Sequence, residues 1–413
     1  MQEKARKGFQ IRAILTDSAW SIAGLVLMNA VMQIAVFPLW SARLGNDAYG
    51  NIVYLIAWMN TVAISMGIGC NYARMADSAK GVTSNRGYNR ILLIASALVV
   101  PFGIAVGQFG GVAMQPQETA LYILLIIATM WRYYGDVEFR LSLNYRRYFL
   151  YYFLISIGYG VGIGLFLLTG LWPLALLPGE LMGLGYILLK GTVFSRGEPL
   201  AGDAMRSVVH TALLLFVTHL ISNLIFNGDR FVLKLLLDSV AVTIYYQASL
   251  LGKTVSLIST PLNSVLIGYL ARNKGALRTK HMHFITLATL GLIILTTVLC
   301  TLASHVIIRL LYPQNYALVK AYFLLGNLAQ VLFFVGTMLT TLLLRYSKVI
   351  NQFSINFIYA VAFLVLCIPA ALTRGIEGFC IALCVACLIR YLYAVYLGYR
   401  NAVQGSEEAE GHQ

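Results

Sequence analysis

Residues 19–40 read AWSIAGLVLMNAVMQIAVFPLW, an uncharged stretch long enough to cross about 30 Å of hydrocarbon as a helix. Lys4, Arg6, Lys7 and Arg12 precede it. The run is too long for the apolar part of a cleaved signal peptide, so it reads as a retained first span. Eleven similar runs follow, near Tyr49 to Cys70, Ile91 to Val112, Thr119 to Tyr134, Tyr148 to Leu168, Trp172 to Lys190, Val208 to Phe226, Val240 to Leu270, Phe284 to Leu310, Ala317 to Leu344, Ile350 to Leu372 and Gly378 to Leu397. Twelve spans of about 20 residues use roughly 240 positions. The chain has 413 residues, 59% hydrophobic and 11% charged, against about 45–50% and 25% in soluble proteins. Mean hydropathy is +0.76. What remains outside the spans is too little for a folded soluble domain, so an ATP-hydrolysing engine is expected on another chain or nowhere. Six cysteines in so apolar a chain form no disulfide framework.

The net charge of +14 would suggest nucleic acid in a soluble protein, but here it resolves into topology. Of the 30 Lys and Arg, 22 fall in alternate connections on the side of the N-terminus, among them Arg74, Arg140, Arg147, Lys190, Arg278 and Arg400. Six, including Arg43, Arg230 and Lys234, fall on the other side, and Lys253 and Arg390 lie inside spans. This asymmetry predicts both termini in the cytoplasm and an even number of spans. No nucleic-acid partner is needed.

Residues 191–206, with Gly197, Pro199 and Gly202, divide the spans six and six. The predicted organisation is a first lobe over 1–190, a cytoplasmic linker over 191–206, a second lobe over 207–398 and a cytoplasmic tail over 399–413. A faint repeat agrees. Leu44, Ala48, Thr61 and Val62 recur as Leu237, Ala241, Thr254 and Val255 at a constant offset of 193. Halves of six spans each are parallel repeats, so the fold class is all-α integral membrane, about twelve transmembrane helices in two parallel six-helix lobes around a central cavity.

Outer connections are short, and none offers the large loop on which a membrane glycosyltransferase or polymerase commonly builds its catalytic site. No catalytic constellation is present. Gly252-Lys253-Thr254 resembles the end of a phosphate loop, but Gln247 stands where the leading Gly is required. Cys380, Cys384 and Cys387 share a helix face without His, Asp or Glu, so they read as packing residues and no metal or cofactor is expected. Gly158, Gly160, Gly162 and Gly164 form two overlapping small-xxx-small pairs suited to close helix contact.

The informative residues are polar ones at helical spacing inside spans. His219, Asn223, Asn227, Arg230 and Lys234 are spaced 4, 4, 3 and 4, within about 80° at about 100° per residue. Tyr246, Ser249, Lys253, Ser256, Thr260 and Asn263 form a second stripe on the eighth helix. Ser18, Asn29, Gln33, Trp40 and Arg43 form a third on the first. A charge in a span costs about 2.5–3.5 kcal/mol on insertion scales, and such groups face a wet cavity or the bundle interior. Arg230 and Lys234 lie near a helix end, where snorkelling to headgroups is the competing reading; Lys253 is too deep for that. Its counterpart at the offset of 193 is neutral Asn60. Arg390 lies within the last span, in the cavity or paired with a buried acid. Among acids, Glu180 follows Pro178-Gly179, where the helix is loosened, and has no basic neighbour in sequence; Asp229 lies off the stripe. Glu180, His219 and Asp229 are the candidates for ion coupling.

The segment Gln33 to Arg74, with Pro38, Leu44-Gly45-Asn46, Tyr49-Gly50 and Gly67-Ile68-Gly69, resembles the opening of the Wzx-type flippases of the multidrug/oligosaccharidyl-lipid/polysaccharide exporter superfamily. Asp229-Arg230, Ala241 and Tyr245-Tyr246 resemble the matching stretch of their second half. The resemblance implies flipping of undecaprenyl-pyrophosphate-linked oligosaccharide (O-antigen, capsule or exopolysaccharide units) across the bacterial inner membrane. It implies a cationic cavity carrying Arg230, Lys253 and Lys234, no cofactor, a monomer in contact with membrane lipids, and a polysaccharide polymerase and chain-length regulator as partners. Two other functions compete: a multidrug cation antiporter of the same superfamily, which would want an acidic cavity, and a lipid II flippase, whose members carry helices beyond twelve. A membrane enzyme of polysaccharide assembly is the alternative from another class.

Overall fold

The computed structural model describes residues 19–20, 22–79, 85–142, 144–195, 202–257, 278–343, 346 and 349–410. Among these residues there are helices and no strands. Among the described residues the predicted runs correspond to twelve helical segments, the eighth only in part because 258–270 lie outside them. The first two form one continuous helical stretch, Ile22–Ser78, turned at Gly45 (φ 79°, ψ 176°); α1 covers 22–44 and α2 46–79. They are followed by α3 (Asn85–Phe109), α4 (Pro116–Gly135), the short helix Val137–Ser142, α5 (Tyr145–Thr169), α6 (Leu177–Lys190) and α7 (Gly202–Leu236). The eighth, α8, covers 239–257, interrupted at Ser249. Then come α9 (Thr279–Leu311) and α10 (Tyr316–Leu343). The stretch Val349–Glu410 is turned at Gly375 (φ 59°) into α11 (349–374) and α12 (376–410). The connections within the first and last pairs thus shrink to a single glycine.

Local chemistry explains the boundaries. Gln115 and Glu118 form a capping box ahead of α4, with Pro116 in the first turn. Asn144 accepts from the Arg147 N–H at the start of α5, and left-handed Gly170 ends it. Pro173 and Pro178 shorten the sixth run: a 3₁₀ turn, Trp172–Ala175, precedes a helix of 14 residues. Asp238 caps α8 by accepting from the Ala241 N–H at 2.7 Å. The internal repeat falls on these breaks, since the offset of 193 superposes the turn at Gly45 on the cap at Asp238.

The chain forms two compact units, Met1–Asp229 and Arg230–Gln413, and the division falls within α7. In the first, α4 packs on α2, α3 and α6, and α5 lies along α6. Buried Trp40, Tyr122 and Trp172 meet there at 5.8 Å between ring centres. In the second, α10 is central, packed on α8, α9 and the α11–α12 stretch. Apolar side chains also point outward: Leu168 is 85% exposed, Leu189 82% and Phe284 73%. That inversion, with Arg and Glu buried, is how a bundle solvated by lipid is built. The protein is an all-helical, multi-pass membrane protein.

Candidate functional site

The seventh-helix stripe divides at the same point as the chain. Its first half is spent on α2: His219 lies 5.3 Å from the Tyr72 ring, Asn223 Nδ2 donates to Ser65 Oγ at 3.0 Å, and Asn227 Nδ2 to Thr61 Oγ1 at 3.4 Å. Each asparagine also donates to the carbonyl four residues back. These polar groups form a zipper between two helices, the role small polar residues commonly take where no water competes. Asp229 is buried beside them in sequence.

The second half of the stripe joins the eighth-helix residues. Arg230 is buried, its guanidinium 5.0 Å from the Tyr246 ring centre, and Lys253 is buried with Nζ 5.8 Å from the adjacent Tyr245 ring. Lys234 Nζ donates to Ser239 Oγ at 2.6 Å. Two cations therefore sit on successive tyrosines of α8, where ring faces offset part of the desolvation cost. Ser256, also buried, donates to the Lys253 carbonyl. Thr260 and Asn263, the end of that stripe, lie outside the described residues.

Arg390 is 4% exposed, and its hydrogen bonds go to neutral acceptors. Nη1 donates to the Phe333 carbonyl at 3.1 Å and Thr337 Oγ1 at 3.2 Å, and Nη2 to Asn356 Oδ1 at 3.3 Å. The Phe333 and Tyr359 rings lie 4.4 and 5.6 Å from the guanidinium carbon. It ties α10, α11 and α12 together as a buried positive charge.

These contacts fall on an α10 face that the sequence reading passed over. Asn327 accepts from the Gly252 N–H (2.8 Å) and donates to Ser304 Oγ (3.0 Å). Gln330 Nε2 donates to the Tyr245 hydroxyl at 2.9 Å, and Thr337 completes the row. Positions 327, 330, 337 and 340 carry Asn, Gln, Thr and Thr at helical spacing, a signal visible in the sequence but masked by the apolar residues around it.

In the first unit, Glu180, read from sequence as lacking a basic neighbour, is paired with Arg132 of α4, 48 positions away. Tyr159 donates to its other oxygen at 2.8 Å. One turn on, buried Asp136 accepts from the Tyr148 and Tyr152 hydroxyls at 3.1 Å each, while its Oδ1 has no hydrogen-bond partner. Arg132 and Asp136 were missed because their partners come from distant helices, although Tyr148, Tyr151, Tyr152 and Tyr159 share one face of α5. On α1, Asn29 donates back to the Leu25 carbonyl at 2.8 Å, and Arg43 is exposed. Gln33 and Asn60 each lie in a π-helical segment, Met32–Val36 and Asn60–Ile64, a wide turn often found at functional positions. Ser18 lies outside the described residues.

No protein-family model and no curated protein sequence matches the chain. Its structure resembles those of solved transporters. An inward-facing multidrug resistance MATE family transporter of the MOP superfamily aligns over 94% of this chain and 99% of its own, with TM-score 0.70 and 14% identity. The lipid II flippase MurJ, in an inward closed conformation, aligns over 94% and 90%, with TM-score 0.68 and 13% identity. A MATE protein in a bent conformation aligns over 97% of both chains, with TM-score 0.62 and 13% identity. This chain shares the fold of those structures over 94–97% of its length.

Proposed function

We propose that the protein is a Wzx-type flippase that moves undecaprenyl-pyrophosphate-linked oligosaccharide units across the bacterial inner membrane by alternating access. The observation that carries the reading is the buried positive charge of the second unit, with Arg230, Lys253 and Arg390 set among tyrosines and neutral amides. A sugar pyrophosphate cannot enter hydrocarbon without losing its water. Fixed cations offer it charge-assisted hydrogen bonds, tyrosine and amide groups replace water around the sugars, and the polyprenyl tail stays in the bilayer. A cavity for a cationic drug would invert this charge. In this reading residues 207–398 form the cationic lobe, 1–190 the more neutral one, 191–206 the linker and 399–413 a cytoplasmic tail. Movement draws on an ion gradient or on consumption of the flipped lipid, and a polymerase and chain-length regulator act downstream.

The test is restoration of surface polymer in a bacterial strain deprived of its own oligosaccharide flippase. Wild-type protein should restore it. Lys253→Ala, present in the membrane at normal amounts, should abolish it, and Lys253→Arg should retain part. Normal export by Lys253→Ala would reduce Lys253 to a structural role. Ethidium efflux without polymer restoration would favour the multidrug reading, and glycosidic-bond formation by purified protein an enzyme.

A further inference from the structure

A crevice opens in the first unit where the short helix Val137–Ser142, α5 and α6 meet, about 320 Å³ including its open mouth. It is lined by Arg147 from the first turn of α5 and Lys190 from the last turn of α6, together with Glu138, Ser142 and Tyr186. Nothing in the transport reading uses it.

Three features of the crevice select an occupant. The first is charge. The carboxylate of Glu138 accepts from the backbone N–H groups of Thr192 and Val193 at 2.8 and 2.9 Å, and among the described residues no ion pair joins it to Arg147 or Lys190. Both cations are exposed. The second is their placement. Arg146 and Arg147 stand in the first turn of α5, the end of a helix where the dipole favours an anion and disfavours a cation. An anion between them and Lys190 would relieve that repulsion. The third is the rim. Leu141, Leu188 and Leu189 adjoin the lining residues Ser142, Ile187 and Lys190 in sequence and are 43%, 64% and 82% exposed, the outward apolar exposure of a surface solvated by hydrocarbon. Tyr186, stacked on Phe139 at 6.2 Å and 18°, lies at the same border, the level tyrosines favour in membranes.

We infer that this crevice binds the phosphate of an anionic phospholipid, with Arg147 and Lys190 on the phosphate and the acyl chains over Leu188 and Leu189. Basic pockets between spans are the usual form of such sites. Because Glu138 also holds residues 192 and 193, a lipid seated there would stabilise the end of α6 and the start of the six-plus-six connection.

Thermal unfolding in neutral detergent tests this, with phosphatidylglycerol, phosphatidylcholine or inorganic phosphate added. Phosphatidylglycerol should raise the wild-type midpoint saturably, by about 5 °C, and the other two should not. The double variant Arg147→Gln/Lys190→Gln should lose the rise. Arg309→Gln/Lys320→Gln, which removes the same charge elsewhere, should keep it. An equal rise in both double variants, an equal response to phosphatidylcholine, or reproduction of the whole effect by inorganic phosphate would each overturn the assignment. Should the first double variant not fold, native mass spectrometry of the single variants decides: loss of one retained phosphatidylglycerol supports the site, and unchanged retention overturns it.

Discussion

At Glu180 the contacts set the expected behaviour of a substitution. With Arg132 buried against it and Arg132 Nη1 already without a partner, Glu180→Gln leaves an uncompensated guanidinium, a change that costs about 3–5 kcal/mol in buried pairs. Replacing both, as Arg132→Met/Glu180→Leu, should recover most of that loss, read by thermal unfolding in detergent. If Glu180→Gln unfolds like wild type and instead weakens the response of transport to a pH step, Glu180 is the coupling group and not a structural partner. Asp136, just beyond the end of α4, behaves differently. Burial pushes its carboxyl above the ordinary range, opposed by Arg132, Arg140 and the tyrosine hydroxyls. The folded protein therefore binds this proton more tightly than the unfolded chain does. The stabilisation is complete below the ordinary carboxylate range and is lost as pH rises through the raised value. Unfolding midpoints should fall over that rise in wild type and less in Asp136→Asn; parallel curves would show that Asp136 does not titrate there. Neither pair was legible in the sequence, because a carboxylate's partner lies wherever the fold brings it.

The helices themselves were legible, because a span must be apolar for about 20 residues and that pattern survives without any knowledge of packing. Which face of a helix does what was legible only in part. The glycines of α5 show the limit. A methyl at Gly158 would lie 2.4 Å from the Gly179 Cα, and one at Gly162 2.4 Å from the Ala175 carbonyl, whereas Gly160 and Gly164 face open space. One of the two small-xxx-small pairs therefore seats α6 and the turn before it, and the other meets nothing. Gly158→Ala and Gly162→Ala should each destabilise the protein by about 1–3 kcal/mol through overpacking. Gly160→Ala should be neutral or stabilise by up to about 1 kcal/mol, since alanine gains helix propensity at no steric cost. Equal effects at 158 and 160 would mean that α5 and α6 are not in this register. The stripe on α7 gave the same lesson: its spacing located the polar face, but not that Asn223 and Asn227 would meet Ser65 and Thr61 while Arg230 met Tyr246.

For the molecule as a whole, the arrangement of basic residues makes a prediction that does not depend on the cargo. The 22 to 6 asymmetry predicts that the connections before α1, α3, α5, α7, α9 and α11 lie in the cytoplasm, since Lys and Arg near short loops resist translocation. If the twelve runs each cross the membrane, the assignment of one connection orients all the others. All six native cysteines are buried, so single introduced thiols at exposed positions report without interference. Gln117→Cys, exposed at the start of α4, should react in intact cells with a membrane-impermeant maleimide. Ser195→Cys, exposed just after α6, should react only once the membrane is opened, and so should a cysteine placed in the Arg196 to Asp203 stretch, most of which lies outside the described residues. The reverse pattern would turn the bundle over. It would put Arg147 and Lys190 on the outer face and, in the proposed flippase reading, require cargo to enter from the opposite end of the cationic second unit.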